Sequence, residues 1–376
     1  MTDLIVFGED WGAHPSSTMH LIAHLPGDNR ILWANSIGLR RPRPTLSDLG
    51  RAWRKLLAAF RPKPARAATP APFPVIQPLV LPMATSRLGR ALNRHLLARK
   101  VGAAARAAGL HKPVLWISLP SAIDAVGALG ESAVVYYAGD DFGALAGVDH
   151  AACLAMEVEL AARADLVLAA SPTIAARFPA AKTHVLPHGV DLDLFSTPAP
   201  RPADLPDGKV AGYYGTLASW LDYPLIAATA RLLPEWRFIF IGPIGSDVAP
   251  TDLALLRAEP NIALLGPRPH AALPGYSRNW SAGLIPFRDN AQIRASNPLK
   301  LREYLAAGRP VVATPFPALL PYAEHIAVET TAAGFARALE ASLSDTNTTA
   351  RQSRVAAESW AARAATAASL IAAVVP

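Results

Sequence analysis

The sequence predicts an α/β protein made of two doubly wound halves, and three observations carry that reading. Short apolar runs bounded by turn residues alternate with longer stretches of helical period, the pattern of parallel strands joined by helices. The alternation is interrupted once, by the proline-rich stretch Ser-Thr-Pro-Ala-Pro-Arg-Pro-Ala-Asp-Leu-Pro-Asp-Gly at 196–208, and restarts at Lys209. At 376 residues, 51% apolar and 17% charged, the chain has material for two domains of ordinary size.

In the first half, strands are expected at 4–7, 31–34, 114–118, 133–137, 166–169 and 184–186. Helices are expected at 17–25, 46–60, 88–108 and 151–164. In the second half, strands fall at 210–214, 237–241, 262–264, 283–285 and 311–313, with helices at 220–233 and 299–307. The domains are then 1–195 and 209–350. An Ala-rich tail, 351–376, has a helical pattern and either packs back across the hinge, the preferred reading, or caps the second domain. Both sheets present the C-terminal ends of their strands to a central cleft, where such sheets take ligands.

Composition excludes several classes. The lone Cys153 rules out a disulfide framework and a cysteine-rich metal site, which suits a cytoplasmic protein. No basic residue precedes the first apolar run, Leu4 to Phe7, and that run is too short for a signal-peptide core. The longest uncharged stretch, Ala67 to Ser86, contains Pro70, Pro72, Pro74, Pro78 and Pro82, so it is no regular spanning helix. Any membrane contact is therefore expected to be peripheral.

Charge is unevenly distributed. The net +7 hides a segment from Arg40 to Lys112 with sixteen basic residues and one acidic residue, Asp48, so that everything else is acidic. Aromatic residues are sparse there and no nucleic-acid motif is present, which argues against DNA or RNA as partner. Leu46 to Phe60 places apolar residues at 46, 49, 53, 56, 57 and 60 beside a basic face that includes Arg51, Arg54 and Lys55. That pattern suits the anionic inner face of the cytoplasmic membrane, reached through residues 40–112; a solvated basic face is the plainer alternative.

The most informative segment is 295–314, Ala-Ser-Asn-Pro-Leu-Lys-Leu-Arg-Glu-Tyr-Leu-Ala-Ala-Gly-Arg-Pro-Val-Val-Ala-Thr. Asn297 can cap a helix, Pro298 suits its first position, Gly308 ends it and a strand resumes at Val311. Lys300 in the first turn is misplaced for helix stability, since cations prefer the other end, and a bound phosphate would repair the mismatch.

With its neighbours this segment resembles the donor-binding signature of GT-B glycosyltransferases, particularly bacterial enzymes of capsule, teichuronic acid and exopolysaccharide assembly. The matches run in family order over nearly the whole chain: Val-Leu-Pro-His-Gly-Val-Asp-Leu-Asp-Leu-Phe at 185–195, Gly-Tyr-Tyr-Gly-Thr-Leu at 212–217, Phe-Ile-Gly-Pro at 240–243, Leu-Gly-Pro-Arg-Pro at 265–269 and Leu-Ile-Pro-Phe-Arg at 284–288. The resemblance implies a nucleoside diphosphate sugar, most simply a UDP-sugar, as substrate, with no cofactor and no metal. It gives Lys300 the diphosphate, Glu303 the ribose hydroxyls, Gly215 a close backbone approach to the pyrophosphate and Arg268 a place near the base. His188 reads as structural support at the hinge. Retaining members carry a Glu eight positions before the residue matching Glu303, and here Ala295 stands there. Arg294, Ser296 or Asn297 must then read the donor sugar, and a positive side chain would suit a carboxylated one. The stereochemical class stays open.

In the first half, 134–145 reads Val-Val-Tyr-Tyr-Ala-Gly-Asp-Asp-Phe-Gly-Ala-Leu, which puts Asp140 and Asp141 just past a strand's C-terminal end. The segment 136–140 is similar to the catalytic-base segment of the inverting glucuronosyltransferase of xanthan assembly, which matches Asp140 to the base. Asp141 would cap or orient the loop. Glu9, Asp10 and His20, after and just beyond the first strand, are candidates for the acceptor side.

The expected function is hexosyl or glucuronosyl transfer from a nucleoside diphosphate sugar to a polyprenyl-diphosphate-linked or glycan acceptor. The first domain would bind the acceptor and the second the donor. Alternatives are a nucleotide-sugar epimerase of the same architecture and a carbohydrate- or membrane-binding scaffold without catalysis.

Overall fold

The apolar run of β1 (Asp3–Phe7) is buried at all five residues, as expected of a strand covered on both faces. In the computed structural model it seeds a seven-stranded sheet. The structure describes residues 2–12, 15–37, 71–81, 86–143 and 149–375. The expected helix 46–60, with Arg51, Arg54 and Lys55, lies outside them.

After β1 come α1 (Ser17–Ala23), β2 (Arg30–Ala34), β3 (Val75–Ile76), α2 (Arg87–Ala107), β4 (Val114–Ile117), β5 (Ala133–Ala138), α3 (His150–Arg163), β6 (Leu166–Ala169), α4 (Pro172–Ala175) and β7 (Thr183–Val185). All pairs are parallel and the order is β3-β2-β1-β4-β5-β6-β7, so the chain reverses its direction of build between β1 and β4. Ligands bind such sheets at this switch, beyond the strand C-termini. The loop after β1, Ser118 after β4 and the Gly139–Asp141 loop after β5 all lie along that edge.

The second half comprises α5 (Leu192–Ser196), β8 (Val210–Tyr214), α6 (Tyr223–Leu232), β9 (Arg237–Ile241), α7 (Pro250–Arg257), β10 (Ile262–Gly266), α8 (Leu273–Ser277), β11 (Ala282–Ile285), α9 (Ala291–Ala295), α10 (Leu299–Ala306), β12 (Val311–Ala313), β13 (Ala327–Val328), α11 (Ala332–Ser342), α12 (Thr348–Val355) and α13 (Trp360–Ala372). Its six-stranded parallel sheet runs β10-β9-β8-β11-β12-β13, with the switch between β8 and β11.

Contacts divide the chain into Met1–Pro187 with Arg363–Pro376, and His188–Ala362. The segment after Pro187 therefore lies with the second unit: Asp191 caps α5, and α5 packs against α10. The tail from Arg363 clusters with the first unit.

Some boundaries differ from expectation. The helix expected from 220 starts at Tyr223, because Asp222 is its N-cap and accepts a bond from Leu225 N–H. The two-residue edge strands β3 and β13 were not expected, being too short to leave a period. Asn297 does not cap α10: the N-cap is Pro298, which offers no side-chain bond, and the Asn297 side-chain amide oxygen accepts from Arg302 instead.

Candidate functional site

In the second unit, β8 and β9 both end in glycines with positive φ, Gly215 at 129° and Gly242 at 147°. A Cβ on Gly242 would lie 2.0 Å from the Gly215 carbonyl oxygen, so the two loops touch backbone to backbone. Gly215 N–H is held by the Ile241 carbonyl at 2.9 Å. The first turn of α10 meets this loop, and a Cβ on Gly215 would sit 3.3 Å from Lys300 Cε and 3.5 Å from Nζ. Gly215 and Lys300 are thus brought together at the β8/β11 switch.

Lys300 Nζ lies 5.2 Å from the Tyr213 ring and 5.3 Å from the Phe287 ring, each within cation–π range. Tyr213 is itself fixed, its hydroxyl donating to the Thr216 carbonyl at 3.1 Å. Crowding by protein pulls the Lys300 ammonium down to about 8, with Glu303 opposing the shift. With Pro298 providing no side-chain cap, the Leu299 and Lys300 N–H groups stay available to a ligand, while Leu301 N–H bonds the Pro298 carbonyl at 3.4 Å. A cation and free N–H groups at one point make an anion site.

Glu303, one turn on, is buried and lies 3.3 Å from His270 Nε2. Burial pulls the His270 imidazole down, but the hydrogen bond and charge of Glu303 outweigh it and leave the ring above its ordinary value. Arg268 is committed to structure: it donates to Asp204 Oδ2 at 2.7 Å, to the Tyr276 hydroxyl at 3.1 Å and to the Leu265 carbonyl at 2.7 Å. Beside the Gly242 loop, Leu217, Pro243, Ile244, Gly266 and Pro267 help line a cavity of about 510 Å³.

The sugar-reading candidates separate. Arg294 is exposed and pairs with Asp289 at 2.6 Å, so Asp289 offsets the charge that favoured a carboxylated sugar. The Ser296 hydroxyl donates to the Ile293 carbonyl at 2.8 Å, and Ala295 is buried. Beneath α10, Arg302 donates to Glu358 at 2.6 Å, and Glu358 also accepts from Tyr322 at 2.6 Å and Arg354 at 2.8 Å.

In the first unit, Asp140 is exposed and has no hydrogen-bond partner among the described residues. Although the residue reaches solvent, the protein around its carboxyl, then the charges of Glu9 and Asp141, push it up to about 6. Asp141 is differently employed, accepting from Gly143 N–H at 2.9 Å and from Arg177 at 2.5 Å. Arg177 also bonds Glu157, a buried carboxylate that accepts from the Tyr136 hydroxyl at 2.7 Å. One aspartate is anchored and its neighbour is left open.

Glu9 accepts from Ser16, the α1 N-cap, at 2.8 Å, and Asp10 accepts from Ser36 N–H at 3.0 Å and its hydroxyl at 2.7 Å. Glu9 therefore comes together with Asp140 at one sheet edge, whereas Asp10 fastens the β1 and β2 loops. His20 lies half-buried on α1, its ring 6.4 Å from that of His24. His188 is buried, 6.3 Å from the Trp360 ring. Among the described residues no group of His, Cys, Asp and Glu is placed to hold a metal ion, and no helix is long and apolar enough to cross a membrane.

Comparison with known proteins supports this architecture. Residues 208–345, the second unit's sheet and helices, match the family described as Glycosyl transferases group 1. The two parallel-sheet α/β units are those of the GT-B fold. The chain is 35% identical over 140 residues to a Bacillus subtilis (strain 168) protein named "Putative teichuronic acid biosynthesis glycosyltransferase TuaH", a stretch that is 36% of this chain and 35% of that one. Among solved structures it is similar to Anabaena Alr3699/HepE in complex with UDP and glucose, with a TM-score of 0.65 at 17% identity over 99% of this chain and 98% of that one. It is also similar to sucrose-phosphate synthase from Thermosynechococcus elongatus, with a TM-score of 0.71 at 17% identity over 100% and 99%.

Sequence reasoning missed Tyr213, Phe287 and His270. The first two sit within motifs already singled out, but only the fold brings their rings to Lys300. His270 follows directly on the 265–269 motif.

Proposed function

We propose that this protein transfers a hexosyl group from a UDP-sugar to a hydroxyl of a glycan acceptor in bacterial cell-envelope or exopolysaccharide assembly. The observation that carries the reading is the meeting of Lys300, Gly215 and the uncapped start of α10 within the segment matching the group 1 family. There the diphosphate would take the Lys300 charge and the α10 N–H groups, which stabilise the leaving group as the glycosidic bond breaks and leave no step that requires a divalent cation. Glu303, oriented by His270, would accept from the ribose hydroxyls, and the cavity beside Gly242 offers room for the base.

The first unit would hold the acceptor. Asp140, open and raised to about 6, is half-ionised near pH 6 and suited to take the acceptor hydroxyl's proton. That assignment favours inversion, with Asp141 fixing the loop and Glu9 beside the base. The acceptor proposed is a polyprenyl-diphosphate-linked glycan met at the inner face of the cytoplasmic membrane, which the basic content of residues 40–112 favours.

Incubating the protein with labelled UDP-sugars and a membrane lipid fraction tests this. Transfer of label into lipid-extractable glycan, with chelator present, is expected. Interconversion of free sugar nucleotide alone would establish the epimerase reading instead, and no turnover with any donor would favour a scaffold.

A further inference from the structure

α2 runs for 21 residues, about 30 Å, and its two sides are employed quite differently. Asn93, Leu97, Val101 and Ala105, at helical spacing, are buried against the first unit. Arg90 on that side bonds Asp124 and Glu159, and Arg94 bonds the Val126 carbonyl. The opposite stripe holds Leu88, Leu92, His95, Arg99 and Arg106, all exposed.

Leu88 is 86% exposed and Leu92 46%. Close to them, Leu81 is bonded to Asn93 through both its N–H at 2.7 Å and its carbonyl at 3.0 Å, which pins a segment with two more exposed leucines, Leu79 and Leu81, to the same end of the helix. Toward the other end Arg99, Lys100 and Arg106 are exposed and have no acidic partner among the described residues. Residues 71–112 contain no Asp or Glu at all. One end of the surface is apolar and the rest is cationic and unneutralised.

We infer that the outward stripe of α2 is an interfacial docking surface for an anionic lipid bilayer. The leucine end enters the boundary between headgroups and acyl chains, and Arg99, Lys100 and Arg106 lie over phosphate headgroups. Charge decides the class of partner and the leucines decide its form: a polyanion without an apolar phase would satisfy the arginines and leave four leucines in water. The inference deepens the proposed acceptor, since it rests on an acceptor met at a membrane, and it places the contact on α2, apart from the expected 46–60 helix.

The test uses the full chain and vesicles of phosphatidylcholine, alone or mixed with phosphatidylglycerol, in co-sedimentation. Wild type is expected to bind only the mixed vesicles and to be released by salt. Leu88→Ser with Leu92→Ser, and separately Arg99→Glu with Lys100→Glu, should each weaken binding roughly tenfold or more while circular dichroism is unchanged. A Leu92→Trp variant should show a blue-shifted emission quenched by brominated lipid. UDP binding measured in parallel reads the donor site, and so the proposed function, separately. Vesicle binding that survives both double variants overturns the assignment. So does a result in which those variants abolish RNA retention or dimerisation and leave vesicle binding intact.

Discussion

Arg177 lies 2.5 Å from Asp141 and holds that carboxylate to the loop, while the adjacent Asp140 carboxyl is left open. Two neighbouring acids identical in type are thereby given different work. Asp140→Asn should lower kcat on the order of a hundred- to ten-thousand-fold with UDP affinity unchanged, as loss of a general base does. Asp141→Asn should act more weakly, through loop order. Steady-state kinetics of the two variants decide the assignment, and a fully active Asp140→Asn would remove it.

The same carboxyl sets a pH dependence. With its pKa raised to about 6, Asp140 is ionised above that value, the form the proposed base requires. kcat/KM should therefore fall about tenfold per unit as pH drops below 6. Glu9→Gln, which removes the stronger of the two charges that raise Asp140, should move this limb to lower pH. A limb that stays in place would separate Glu9 from the base.

Lys300, lowered to about 8, gives the opposite limb on binding. Only the ammonium pairs with diphosphate, so binding raises its pKa and takes up a proton where the free lysine is partly neutral. UDP affinity should decline above pH 8. Calorimetry in buffers of different ionisation enthalpy should register proton uptake by Lys300 near pH 8 to 9.

Glu358 gathers Arg302, Tyr322 and Arg354 beneath α10. Glu358→Ala leaves the Arg302 guanidinium buried without its anion and should cost about 3 to 5 kcal/mol. Denaturant unfolding is the measure. Arg302→Met with Glu358→Leu should recover much of that loss, because replacing both partners removes the stranded charge.

Much of this was legible in the sequence where burial leaves a pattern. Central strands such as β8 and β9 emerge from their apolar runs with the expected bounds. Edge strands of two residues leave no period, and α9 is too short to show a face. The motifs located Lys300, Glu303 and Gly215, and the structure joins Lys300 to Gly215. The cap of α10 was misread because an Asn-Pro pair is ambiguous locally, and Arg302, five residues away, decides where Asn297 points. The pairing of Arg268 with Asp204 and Tyr276 was not legible, because those partners are distant in sequence or unremarkable in it. Pairings of that kind exist only once the chain is folded.

The central claim is that Lys300 and the start of α10 bind the diphosphate of the donor, and calorimetric UDP binding to wild type and Lys300→Ala at pH 7 tests it most directly. The account predicts affinity roughly tenfold to a hundredfold weaker in the variant, the loss of one charged hydrogen-bonding group. Equal affinity in a variant that keeps its fold would contradict it.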